Sequence, residues 1–166
     1  MTPALVGMAL VRWVHLFGAI VWLGGLFFYL MILMPSLRDF DPAQGRRLSQ
    51  LVGLRFRVVS LACMAALLVS GLWLVSQILQ GLSLAEWFFS STYSKALGLK
   101  ILVALIAMGN GLILGFVLSP KLVDALEAHD EPRALAIGRT MGILTGIGFL
   151  LGIVITACVA VLRLYS

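Results

Sequence analysis

Long apolar stretches alternate with short polar ones along this chain. No Asp, Glu, Lys or Arg occurs between Arg12 and Arg38, Arg57 and Glu86, Lys100 and Lys121, or Arg139 and Arg163, and these gaps are 25, 28, 20 and 23 residues long. A helix rising 1.5 Å per residue needs about 20 apolar residues to cross hydrocarbon. The pattern predicts an all-α integral membrane four-helix bundle, with spans at about 8–34, 58–80, 95–118 and 139–163. Too little hydrophilic sequence separates the spans for a second domain, so residues 1–166 read as a single four-transmembrane-helix domain. The N-terminal apolar run is longer than a secretory signal's and follows no basic residue, so it reads as the first permanent helix.

Local signals set the boundaries. The first span is expected to stop at Pro35. Asp41, Pro42 and Gln44 have the order of an N-cap, a first-turn proline and a capping partner, so a helix is expected to start there and run unbroken into the second span. The aromatic connection "GLSLAEWFFSSTYS" suits the headgroup region. The third span is expected to end at Ser119-Pro120, and "KLVDALEAHDEPRALAIGR" to form a polar hairpin, helical on both sides of residues 130–132.

Basic residues orient the bundle. Arg38, Arg46, Arg47, Arg55 and Arg57 follow the first span, and Lys121, Arg133 and Arg139 follow the third. The positive-inside rule places both basic loops in the cytoplasm, giving an N-out/C-out protein of the bacterial inner membrane. Arg12, His15, Lys100 and Arg163 then share the outer half of the bilayer. Composition agrees: 61% of residues are hydrophobic and 11% charged, against about 25% charged in soluble domains. The net charge of +5 does not indicate nucleic-acid binding, because the arginines sit beside helix ends where anionic lipid attracts them.

An ionisable group inside a span needs a function or a partner. On the first helix, Met8, Arg12, His15, Gly18, Trp22, Gly25 and Tyr29 form one helical stripe, while Leu16, Ile20, Leu23, Phe27 and Leu30 suit lipid. His15 is therefore expected to face protein, as an axial haem ligand, a metal ligand, a proton relay or an interhelical hydrogen-bonding residue. The third helix presents Tyr93, Lys100 and Asn110, the second Ser60, Cys63, Ser70 and Gln77, and the fourth Thr145, Gly152, Thr156 and Arg163. Arg12 and Lys100 are expected to hold anionic groups of a ligand, and Trp22 and Asn110 to line its pocket. Cys63 and Cys158 form no CxxC pair and read as apolar core residues, and His129 lies in the solvated hairpin. Gly142 and Gly146, and Gly148 and Gly152, predict a close contact along the fourth helix. No phosphate loop, nucleophile elbow or HExxH motif occurs.

Three segments, "HLFGAIVWLGGLFFYLMILMP", "LRFRVVSLACMAALLVSGLW" and "YSKALGLKILVALIAMGNG", resemble the CopD-type membrane domain. They are also similar, more distantly, to the HemJ-type protoporphyrinogen oxidases. The matching residues are His15, Trp22, Gly24, Gly25, Arg55, Phe56, Gly71, Tyr93, Lys100 and Asn110. The resemblance implies a small helix bundle linked to copper handling or haem-dependent redox chemistry, with His15 and Lys100 as functional positions. The preferred reading is a protein that binds haem b or a related redox ligand in its outer half, for electron transfer or for haem and copper homeostasis. His15 would be its metal ligand. The alternatives are a copper or small-solute transporter and a non-catalytic accessory subunit. The expected partners are the lipid bilayer and either a second copy or a larger membrane complex.

Overall fold

The computed structural model describes residues 2–79 and 83–162, apart from the side chains of Arg38, Pro42, Ala43, Arg46 and Val161. Arg163, one of the outer-half cations expected above, lies outside the described residues. All regular structure among the described residues is helical. In chain order it comprises α1 (Pro3–Phe28), a π-helical turn (Tyr29–Leu33), α2 (Met34–Ser36), a 3-10 turn (Leu37–Asp39), α3 (Pro42–Leu79), α4 (Leu84–Ser90), α5 (Thr92–Leu112), a second π-helical stretch (Ile113–Leu118), α6 (Ser119–Glu127) and α7 (Glu131–Leu162). Four helical stretches, Pro3–Ser36, Arg47–Leu79, Thr92–Glu127 and Glu131–Ala160, are long and apolar enough to cross a membrane. The all-α membrane class expected from the charge gaps is thus what the chain adopts.

The residues divide into two compact units, Met1–Lys95 and Ala96–Ser166. In the first, α1 and α3 run antiparallel. Glycines set their separation: the bare Cα of Gly18 faces Leu67 and the Cys63 carbonyl, and that of Gly25 faces the Phe56 ring. Without lipid-excluded water to drive association, such close backbone approach supplies the packing energy between membrane helices. Trp22 and Leu26 on α1 and Met64 and Leu67 on α3 are buried, whereas Leu16, Ile20 and Phe27 lie exposed on the opposite side of α1. The expected stripes of this helix are thus present in part: Arg12 of the inward one is exposed, and Leu23 and Leu30 of the lipid-facing one are half-buried. Tyr29 stacks on Phe56 with ring centroids 6.0 Å apart. The short α4 opens with a capping box. The Ser83 hydroxyl oxygen accepts from the Glu86 amide at 3.3 Å, and the Glu86 carboxylate accepts from the Ser83 amide at 2.9 Å. Hydrogen bonds from the Ser83 hydroxyl and amide hold the exposed Glu86 carboxyl below its ordinary pKa.

In the second unit, α5 continues through its π stretch into α6, and a tight hairpin turns the chain into α7. The hairpin is a Schellman motif. The Asp130 amide reaches back to the Ala125 carbonyl at 3.0 Å, the His129 amide reaches Leu126 at 3.2 Å, and His129 adopts a positive φ of 56°. Asp130 then caps α7, its carboxylate accepting from the Arg133 amide at 3.1 Å.

The first stretch ends within one residue of Pro35, as expected, whereas Pro120 does not end its helix. Helical structure stops at Ser36 in the first case and runs past Pro120 to Glu127 in the second. A wide turn before each proline accommodates it. A proline ring collides with the carbonyl four residues earlier in an α-helix. A π turn, bonding at i to i+5, loosens the backbone just ahead of that point. The two units carry this device in the same sequence frame: Leu33, Pro35, Leu37 and Asp39 in one, Leu118, Pro120, Leu122 and Asp124 in the other.

Candidate functional site

On α1, His15 projects toward α3 and is half-buried. Its Nδ1 lies 2.8 Å from the hydroxyl oxygen of Ser70, a residue 5% exposed. The Ser70 hydroxyl in turn donates to the Ala66 carbonyl one turn earlier on α3, with the Leu67 carbonyl at 3.4 Å. Gly71 explains why the ring can lie so close. A Cβ there would stand 3.3 Å from His15 Cε1, tighter than most real contacts, and 3.7 Å from Nδ1, an ordinary contact. Helix α3 thus meets the imidazole with a hydroxyl and a bare Cα side by side. Two turns inward, Trp22 is 5% exposed. Ser60 is also buried, and its hydroxyl has no hydrogen-bond partner among the described residues.

The remaining expected residues divide by unit. Arg12, one turn from His15, is exposed. Its long side chain can carry the charge toward the headgroups while its Cα stays on the stripe. Lys100 and Asn110 belong to α5 in the second unit. Lys100 is half-buried there. The Asn110 side-chain amide donates to the Leu144 carbonyl on α7 at 2.7 Å. Gly148 makes this bond reachable: a Cβ at Gly148 would sit 3.0 Å from Asn110 Nδ2. Of the glycines expected to make a close contact on α7, Gly148 does so, whereas Gly142 and Gly146 face nothing within 4 Å among the described residues.

Among the described residues, no group of three or more His, Cys, Asp and Glu side chains could enclose a metal ion. The chemistry available at His15 is therefore that of one imidazole nitrogen aided by neighbours of other kinds. Sequence reading named Ser70 as one of several polar residues on the second helix, without placing it against His15. The signal was the Ser70-Gly71 pair, but its meaning depends on the register between α1 and α3.

Residues 52–162 match the family model for copper resistance protein D, CopD. The match includes Ser70, Gly71, Lys100 and Asn110, and begins after His15. No curated protein and no solved structure matches the chain.

Proposed function

Because this chain belongs to the copper resistance protein D family, we propose that it moves or hands on copper across the bacterial inner membrane, with His15 as an imidazole ligand to the ion. The family match carries the choice of metal. The choice of residue rests on the His15 ring, an ionisable group within a span that is turned onto a polar position of the neighbouring helix. Imidazole is a good copper ligand, and a single one binds weakly enough to release its cargo. Copper here is the substrate, and the chain's contribution is one imidazole nitrogen oriented at the interface of α1 and α3. The N-out/C-out orientation, with the arginine-rich connections in the cytoplasm, places this ligand in the outer half of the bilayer.

A second reading is favoured by one feature, the half-buried ammonium of Lys100 within a span. A cation there suits an anionic group better than it suits a metal ion. Haem b, with a propionate held by Lys100, is the ligand that fits this feature.

One titration tests both readings. Purified chain in detergent competes for Cu(I) against a coloured Cu(I) chelator, with the visible spectrum recorded first. We expect Cu(I) binding in the wild type, its loss in His15→Ala and its retention in His129→Ala. Wild-type protein that never takes Cu(I) from the chelator would refute the copper reading. A Soret band that disappears in His15→Ala would establish haem instead.

A further inference from the structure

We infer that Ser70 is a positioning residue that fixes the tautomer of His15, so that Nδ1 carries a proton and Nε2 is the nitrogen that binds or exchanges.

The argument is a count of protons. A hydrogen bond needs one proton between its two heavy atoms. A carbonyl has none to give, so the bond between the Ser70 hydroxyl and the Ala66 carbonyl uses the only proton the serine owns. The Leu67 carbonyl at 3.4 Å draws on that same proton and supplies none. Toward His15 the Ser70 oxygen can then only accept. The 2.8 Å contact therefore requires a hydrogen on Nδ1. The neutral ring is consequently the Nδ1–H form, with its lone pair on Nε2. When the ring takes up a proton, it does so at Nε2, and the bond to Ser70 survives.

The backbone supports this assignment. A serine in a helix that bonds back to the carbonyl four residues earlier is held in one rotamer. Its oxygen lone pairs then point at a fixed place on the neighbouring helix. Gly71 lets the ring settle there, because its bare Cα leaves room beside Cε1 and Nδ1. Metal-binding histidines commonly donate their second ring N–H to a carboxylate, carbonyl or water, which fixes the tautomer and aims the ligating nitrogen. Here a serine hydroxyl takes that part, itself oriented by a backbone carbonyl. The use of Nε2 for copper rests on the function proposed above. The tautomer itself does not.

The test uses full-length chain carrying His129→Gln, so that His15 supplies the only imidazole signals, labelled with nitrogen-15 in detergent. Long-range proton–nitrogen correlation spectra at a pH where the ring is neutral show which nitrogen bears hydrogen. We expect a protonated Nδ1 and an unprotonated Nε2. Ser70→Ala should shift the ring toward the Nε2–H form, and Ser70→Thr, which keeps the back-bonding hydroxyl, should restore the original pattern. Cu(I) affinity should fall about 10- to 100-fold in Ser70→Ala, the range typical for loss of such a support, and recover in Ser70→Thr. A wild-type ring protonated at Nε2, or a Ser70→Ala spectrum identical to the wild type, overturns the inference. If the spectra behave as expected but no variant binds Cu(I), the copper reading fails and the tautomer assignment stands. If Cu(I) binds at His15 while the ring is protonated at Nε2, the reverse holds.

Discussion

His15 and Asn110 make their helix-to-helix bonds by the same means, a polar side chain on one helix opposite a glycine on the other. Each glycine is therefore a site where adding one methyl group has a readable effect. Gly148→Ala should push the Asn110 amide off the Leu144 carbonyl and lower stability by about 1–3 kcal/mol, the usual range for overpacking, seen as a lower melting temperature in detergent. Gly25→Ala, whose Cβ would overlap the Phe56 ring, should act similarly and disturb the stacking of Tyr29 on Phe56. Two serines on α3 should respond in opposite directions. Ser60 buries a hydroxyl without a partner among the described residues, and an unsatisfied polar group costs about 1–3 kcal/mol. Ser60→Ala should thus raise the melting temperature, whereas Ser70→Ala should not. Outside the membrane, Ser83→Ala should return the Glu86 carboxyl toward its ordinary pKa, read by a carboxyl NMR titration. Because the folded pKa is the lower one, the capping box helps above the unfolded carboxyl's range, and its help is lost as pH falls through the folded value. The inward stripe of α1 was legible because spacing along a single helix fixes which residues share a face. The pairing of His15 with Ser70 was not, because interhelical register is a property of two helices. Nor was the exposure of Arg12, since a long side chain can leave the face on which its Cα stands.

At the scale of elements, helix starts were easier to read than helix ends. Pro42 does open α3, which runs unbroken to Leu79, and the polar hairpin does turn between Glu127 and Glu131. The expected stop at Pro120 failed because proline's rule assumes α bonding, and the wide turn before it relaxes that rule. The hairpin has its own strain. His129 sits at the left-handed position where glycine is usual. A non-glycine residue there costs about 1–2 kcal/mol, against about 0.5–1 kcal/mol of extra chain entropy lost by glycine on folding. His129→Gly should therefore raise stability modestly, and the β-branched His129→Val should lower it. A thermal melt of the two variants beside wild type checks both signs.

For the whole molecule, the charge gaps sufficed to find four membrane-crossing stretches, because bilayer thickness sets a length that few other structures need. Sidedness is open to direct measurement. A periplasmic reporter should be silent when fused after Arg47 and active when fused after Ser83, and the opposite pair of results would reverse the proposed orientation. The wide turns also bear on how such a chain can change in length. A π turn is, in effect, one residue more than the α-helix around it requires. Each of the two helices holding one therefore carries a spare position between its polar residues and its proline. Deleting Ile32 would let the backbone close into ordinary α bonding, while every residue from Pro3 to Phe28 keeps its phase against α3. Deleting Ile20 would instead turn His15 about 100° away from Ser70 relative to the rest of the helix, since each α-helical residue contributes that rotation. Descendants of this chain would thus tolerate lost codons unevenly, with single deletions gathering just ahead of the prolines and absent between His15 and Gly25.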